Sequence, residues 1–335
     1  MLNFCTLFNS SFLSRGLAMY ESLKKYCAEF HLYIFAFDDK TYKVLSSLNL
    51  DKASIISLKD FENPELLAIK KTRTPTEYFW TCTPATIEYV INEYQVPECT
   101  YLDADIYFFG DPKILLDEIG NKSVLITEHG YFPKEFDQTA TSGRFCVQFI
   151  TFKNNEAGLN ILKNWKELCF KWCYVKMEEG KFGDQKYLDD WPEKYPEDVH
   201  ILKNIGGGAA PWNTQRFSYF LKNKRTYIKD LTTNKTQQLI FYHFHGLRFY
   251  TLVNNFRFFK LNYKRFDYAV STRYIFSASV KKYVYQEYFK HLNKIKKQVA
   301  PIDNSIDPHG SRVTVRKIND VYNKIKNKFK LKTKI

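Results

Sequence analysis

The stretch Thr100-Tyr101-Leu102-Asp103-Ala104-Asp105-Ile106-Tyr107-Phe108-Phe109-Gly110-Asp111-Pro112 constrains this chain more than any other. Its apolar run carries two aspartates at i and i+2 and is halted by Gly-Asp-Pro, the pattern of a buried strand that ends in a turn. Residues two apart on an extended chain face the same side, so the two carboxylates are expected to share a face at a strand end. They repel unless a cation sits between them, and a divalent metal ion is the usual remedy. The bland competing reading is a pair of solvated turn aspartates.

The segments around this stretch alternate. A strand is expected over 2–8, a turn at Asn9-Ser10-Ser11, and then a helix with Leu13, Leu17, Tyr20 and Cys27 along one face. A strand at 32–37, a helix at 40–48 and a short strand at 54–58 follow. Such alternation predicts an α/β fold with a mostly parallel sheet, whose ligands sit at the carboxyl ends of the strands. Lys70-Lys71-Thr72-Arg73 precedes a helix whose apolar positions are Ile87, Val90, Ile91 and Tyr94, and Asp111-Pro112 opens a short helix over 113–119. Strands are expected at 124–127 and 145–152. The polar loop between them, 128–144, is of the kind that closes on substrate. A helix over 156–173 buries Leu159, Leu162, Trp165, Leu168 and Cys169. Gly206-Gly207-Gly208 reads as a flexible loop without phosphate-loop spacing. The apolar run from Gln238 ends in His243, His245 and Gly246, so these histidines occupy the same topological place as the aspartates, although a histidine among aromatics is more often a core residue.

The net charge of +14 over 335 residues invites a nucleic-acid reading. Residues 281–335 carry +11 of it, which leaves +3 for residues 1–280. A nearly neutral body argues against nucleic acid as a partner. Seven scattered cysteines without a Cys-x-x-Cys pair read as reduced thiols of a cytosolic protein. No leader and no apolar run of membrane-spanning length is apparent. A domain over 1–275 is therefore expected, followed by a basic helical region over 276–335. That region contains two amphipathic helices, with faces Val284, Tyr288, Leu292, Ile295, Val299 and Ile318, Val321, Tyr322, Ile325, Phe329, joined by a linker over 300–311. Basic amphipathic helices suit the anionic cytoplasmic face of a membrane; the alternative is docking on the body.

A carboxylate pair, a histidine at a second strand end and an α/β sheet suit a metal ion holding a diphosphate, with the ion stabilising the charge on a departing nucleotide. An imidazole beside two carboxylates suits manganese better than magnesium.

At four places over residues 1–250 the chain resembles the retaining glycosyltransferases of family 8, nucleotide-diphospho-sugar transferases of GT-A (Rossmann-like) fold. Phe12-Leu13-Ser14-Arg15-Gly16-Leu17-Ala18-Met19-Tyr20-Glu21-Ser22-Leu23 is similar to the family's first turn and helix, and Tyr101-Leu102-Asp103-Ala104-Asp105 to its Asp-x-Asp strand end. Gly183-Asp184-Gln185 resembles its Asp-Gln motif, and His243-Phe244-His245-Gly246 its His-aromatic-x-Gly motif. The resemblance implies metal ligation by Asp103, Asp105 and His243. It implies donor contacts from Thr6, Ser11, Arg15, Arg73, Ala104, Gly246 and Arg248, and Asp184 and Gln185 as the catalytic pair beside the anomeric carbon. It also implies transfer of a hexose, with retention, from a nucleotide-diphosphate sugar (UDP for preference) to a surface-glycan or glycolipid acceptor.

The chain departs from the family pattern at Cys146-Val147-Gln148, where an Asn-x-Gly-like segment is usual, and at Phe249, where a lysine is usual and Arg248 is the candidate substitute. The family's following Pro-Trp is missing. A catalytically silent sugar-binding relative is one alternative. An aspartate-dependent phosphohydrolase is another, opposed by Tyr107 at a position where that class carries Thr or Val.

Overall fold

Eight strands come first along the chain: β1 (Leu2–Phe8), β2 (Phe30–Ala36), β3 (Ala53–Ser57), β4 (Glu98–Leu102), β5 (Ile106–Phe108), β6 (Val124–Glu128), β7 (Phe145–Lys153) and β8 (Val199–Ile201). The computed structural model describes residues 1–254, 264–269 and 274–316. All of these strands except β5 form one sheet in the order β3-β2-β1-β4-β7-β6-β8. The first four run parallel and β6 and β8 are parallel to each other, with β7 antiparallel to both of its neighbours. The strand order reverses between β1 and β4, so the crevice at their carboxyl ends is the expected ligand position. Asp103 stands one residue past β4.

Helices cover both faces. On one, α1 (Leu13–Tyr26) presents Leu13, Leu17 and Leu23 to a buried cluster shared with the late helix 286–299. Gly16 permits this approach, because a Cβ there would stand 2.3 Å from the Phe8 ring. After α2 (Asp39–Ser47), α3 (Pro75–Tyr94) covers the other face. It begins with Pro75 and a reciprocal cap between Thr74 and Glu77. Next to it lies α4 (Glu156–Lys171), whose Trp165 is fully buried and stacked on Phe152 of β7 with ring centroids 5.9 Å apart. Trp165→Ala should therefore cost about 3–5 kcal/mol of stability, checked by denaturant unfolding.

Further along, β9 (Phe217–Lys222), β10 (Arg225–Asp230) and β11 (Thr236–Gln238) make a small antiparallel sheet, and β12 (Phe241–His243) pairs antiparallel with β5. The glycine run is not a flexible loop. It lies alongside β12, with Ile240 N–H donating to the Gly206 carbonyl at 2.8 Å and His243 N–H to that of Ala209 at 2.8 Å. A Cβ on Gly206 would stand 2.1 Å from the Gln238 carbonyl oxygen, so glycine is required for close packing there.

The expected amphipathic helix at 284–299 forms as α5 (Gln286–Val299), continuous with a π-helical turn at Lys281–Tyr285. Its face of Val284, Tyr288, Leu292, Ile295 and Val299 is buried in the α1 cluster, so the body covers it. Glu21 of α1 accepts hydrogen bonds from His291 at 2.7 Å and Lys294 at 2.8 Å. Burial alone would raise the Glu21 carboxyl, but these two partners bring it down from 4.5 to about 2. The stabilisation this gives is complete above the unfolded value and is lost as pH falls through the folded one. Melting temperature should thus fall less steeply between pH 5 and about 2 in Glu21→Gln than in the parent protein.

Residues 300–311 do not form a free linker. Ser14 N–H donates to the Pro308 carbonyl at 2.8 Å, and His309 Nδ1 bonds the Ser14 hydroxyl at 2.8 Å, so this segment crosses the start of α1. Beyond it, β15 (Arg312–Arg316) runs parallel to β13 (Arg248–Asn254), which pairs antiparallel with β14 (Lys264–Ala269). A strand thus stands where the basic helical region was expected to continue, and the helix expected over Ile318–Phe329 lies outside the described residues. Among the described residues no helix is long and apolar enough to cross a membrane.

Candidate active site

The crevice between β1 and β4 opens into a cleft of about 680 Å³. Asp103 and Asp105 sit in a turn between β4 and β5, closed by Ile106 N–H donating to the Asp103 carbonyl at 3.2 Å. The two carboxylates therefore meet through this turn, and not through the alternation of an extended strand. Asp103 N–H is held by the Gln148 carbonyl of β7 at 3.0 Å, and Phe244 N–H donates to the Asp105 carbonyl at 2.9 Å. These bonds carry the end of β12 to the aspartates. His243 Nε2 lies 3.0 Å from Asp105 Oδ1 and 3.7 Å from Asp103 Oδ2.

The opposite ring nitrogen, His243 Nδ1, is 2.7 Å from Gln148 Oε1. An amide oxygen only accepts, so Nδ1 bears the proton and Nε2 is the atom turned toward the carboxylates. Burial disfavours charge on all three groups. It raises the Asp103 carboxyl, assisted by the neighbouring Asp105 charge, whereas the imidazole's charge and hydrogen bond draw Asp105 down. His243 rises despite its burial because two carboxylates face it. The imidazole Nε2 thus faces the point where the acidic groups converge.

A third carboxylate joins them. Asp184 is 5 % exposed, and burial together with the charge of Asp103 pushes its carboxyl up to about 7. Its backbone carbonyl accepts from Trp165 Nε1 at 2.8 Å, so α4 fixes its place. Gln185 follows, with its amide nitrogen donating to the Ser142 carbonyl at 2.7 Å. Asp103, Ala104, Asp105, Asp184, Gln185, His243, His245 and Ser11 all line the cleft.

Other sequence candidates lie elsewhere. Thr6 is fully buried within β1, and the cleft wall is formed instead by Leu7, Phe8, Asn9, Ser11 and Phe12 beyond it. Arg15 is 4 % exposed and donates to the carbonyls of Ser11, Leu247 and His309 at 3.0, 3.0 and 3.2 Å. Arg73 is engaged by the Tyr174 hydroxyl and ring and by the Phe170 carbonyl. Gly246 adopts a φ of +70° in the turn after β12, and Arg248 opens β13; neither lines the cleft. Among the described residues, no lysine or arginine does.

The structure adds an aromatic wall that no sequence motif marked. Trp212 sets its ring edge-on to His243, 5.2 Å away, and donates Nε1–H to the His129 carbonyl at 2.8 Å. Tyr131 stacks on the His129 ring at 4.7 Å, and Tyr274 packs with Tyr131 against the cluster of Cys146, Ala210 and Trp212. His129, Tyr131, Gln138 and Ser142 belong to the loop expected to lie over the strand ends.

The donor set fits a divalent cation. Two carboxylates and one imidazole nitrogen, oriented by an amide on its far side, are borderline-hard ligands, and both aspartates keep part of their side chains open to the cleft.

No protein-family profile matches the chain. A solved structure of the galactosyltransferase LgtC, in complex with donor and acceptor sugar analogues, superposes with a TM-score of 0.53 at 11% identity, covering 88% of this chain and 96% of LgtC. The fold is therefore the GT-A fold. The Bacillus subtilis (strain 168) uncharacterized protein YfnD is 31% identical over 277 residues, 82% of this chain and 86% of YfnD. YfnF of the same organism, also an uncharacterized protein, is 31% identical over 252 residues, 73% of this chain and 81% of YfnF. By that extent of shared sequence, the chain belongs to the same protein family as YfnD and YfnF.

Proposed function

We propose that the protein is a metal-dependent glycosyltransferase that moves a hexose from a nucleotide-diphosphate sugar, UDP-linked for preference, to a surface-glycan or glycolipid acceptor with retention of configuration. The observation that carries this reading is the convergence of Asp103, Asp105 and Asp184 with His243 at the β1/β4 crevice. A diphosphate entering beside the Asp103 and Asp105 carboxylates is repelled unless a multivalent cation accompanies it. Asp103, Asp105 and His243 would hold that cation, manganese for preference over magnesium, and when bound it supplies charge neutralisation to the departing diphosphate.

The chain's own groups do the rest. Asn9 and Ser11 at the end of β1 are the proposed contacts of the nucleotide base. Ala104, lacking a long side chain between the aspartates, leaves room for the phosphates. Asp184 and Gln185 would orient the sugar hydroxyls beside the anomeric carbon, and their tethers to Trp165 and Ser142 favour a fixed geometry. The faces of Tyr131, Trp212 and Tyr274 suit the apolar face of an acceptor sugar. Residues 317–335, rich in lysine, are proposed to hold the protein at the anionic cytoplasmic surface of a membrane.

The test is the metal-dependent release of UDP from a panel of UDP-hexoses. The proposal expects release with manganese, a drop after chelation and a further rise with a glycan acceptor. Absence of release from every nucleotide sugar, with or without acceptor, would overturn it. Gln185→Ala should lower the turnover number by roughly 10–100-fold with a smaller change in donor KM, because the side chain acts next to the reacting bond.

A further inference from the structure

Cys146 stands on β7 at the rim of the same centre, and nothing in the proposed reaction uses it. Its Sγ, one carboxylate oxygen of Asp103 and one ring nitrogen of His243 all lie within 4.8 Å of one another. Cys146 is 4 % exposed and lines the cleft, in a small cluster with Ala210 and Trp212. A tetrahedral ion with bonds of about 2.0–2.3 Å holds its donors roughly 3.3–3.8 Å apart. Donors within 4.8 Å of one another stand within about 1–1.5 Å of that spacing.

We propose that Cys146 gives the centre a second mode of ion binding, in which a thiophilic divalent cation of the zinc and cobalt type is held by Asp103, His243 and the Cys146 sulfur. This rests on the reading of Asp103 and His243 as metal ligands. A hard ion such as manganese takes the oxygen and imidazole donors Asp103, Asp105 and His243, and the thiol stays protonated. A thiophilic ion takes the sulfur as thiolate, and the thiol proton leaves to solvent. Zinc competes with manganese for two shared ligands, and binding one excludes the other. Zinc is therefore an inhibitor of the manganese enzyme, and Cys146 sets how strong an inhibitor it is.

The measurement is optical titration of the metal-free, full-length protein with cobalt(II), beside manganese binding followed by water-proton relaxation. The parent protein should develop a thiolate-to-cobalt charge-transfer band in the near ultraviolet at one equivalent, and zinc should erase it. Cys146→Ser should lose the band and bind zinc about 10–100-fold more weakly, with manganese affinity changed less than about 3-fold and an unchanged circular dichroism spectrum. A charge-transfer band that survives in Cys146→Ser would assign the sulfur to another cysteine and overturn the proposal. Manganese binding by the parent without any cobalt–sulfur band would also overturn it, leaving the three-ligand manganese reading intact. Failure to bind either ion would remove both.

Discussion

Asp103→Asn should reduce metal-dependent transfer by roughly 10²–10³-fold, the usual effect of losing one charged group aimed at developing charge. The same substitution should leave the metal-free protein at least as stable as the parent. Burial and the nearby Asp105 raise the Asp103 carboxyl in the folded state. A raised carboxyl means that ionising it works against folding, and this penalty grows as pH climbs above the unfolded value. Asparagine keeps the shape and removes the penalty. Gain or parity in metal-free melting temperature, combined with loss of metal-dependent activity, is the signature of a site that holds repelling charges for function. A merely structural aspartate would give the opposite pair of results, a lower melting temperature with proportionate activity.

Arg15→Ala should cost about 1–3 kcal/mol of stability, the range for leaving buried polar groups without their hydrogen-bond partner. Its guanidinium joins three separate parts of the chain: the turn after β1 through Ser11, the approach to β13 through Leu247, and the segment crossing α1 through His309. Without it two buried carbonyls, of Leu247 and His309, and the part-buried one of Ser11 lose a donor. Denaturant unfolding should show the loss, and near-neutral donor KM in the fraction still folded should accompany it. A raised donor KM with undiminished stability would instead return Arg15 to the donor-contacting role that the family resemblance implied.

The contrast between these two residues explains what the sequence could and could not reveal. The sheet was legible because each strand is a short apolar run between turn signals: 2–8 was expected and Leu2–Phe8 is observed. Asp103, Asp105 and His243 were legible as a group because each ends such a run, and topology brings strand ends together. Their route to each other was not, since a turn at 103–105 does what strand alternation was expected to do. Arg15 and Arg73 sit in sequence next to the cleft, yet a side chain's direction is settled by tertiary partners such as His309 and Tyr174. Glycine carries two opposite meanings, freedom of the chain and absence of a Cβ. Only the Gln238 carbonyl pressed against Gly206 shows that the second applies. The aromatic wall gathers Tyr131, Trp212 and Tyr274 from three distant segments, and no local pattern announces such a meeting. The amphipathic face of α5 was read correctly, but its cover is the body of the protein.

The central claim is that this cleft takes a nucleoside diphosphate together with a divalent cation held by Asp103, Asp105 and His243. It is tested most directly by the melting temperature of the protein against a panel of nucleoside diphosphates, each with and without manganese, beside Asp103→Asn. A ligand that binds only the folded state raises the melting point by mass action. The account predicts a shift with UDP that requires manganese and disappears in Asp103→Asn. A shift of equal size without metal, or none with any nucleotide, would contradict it.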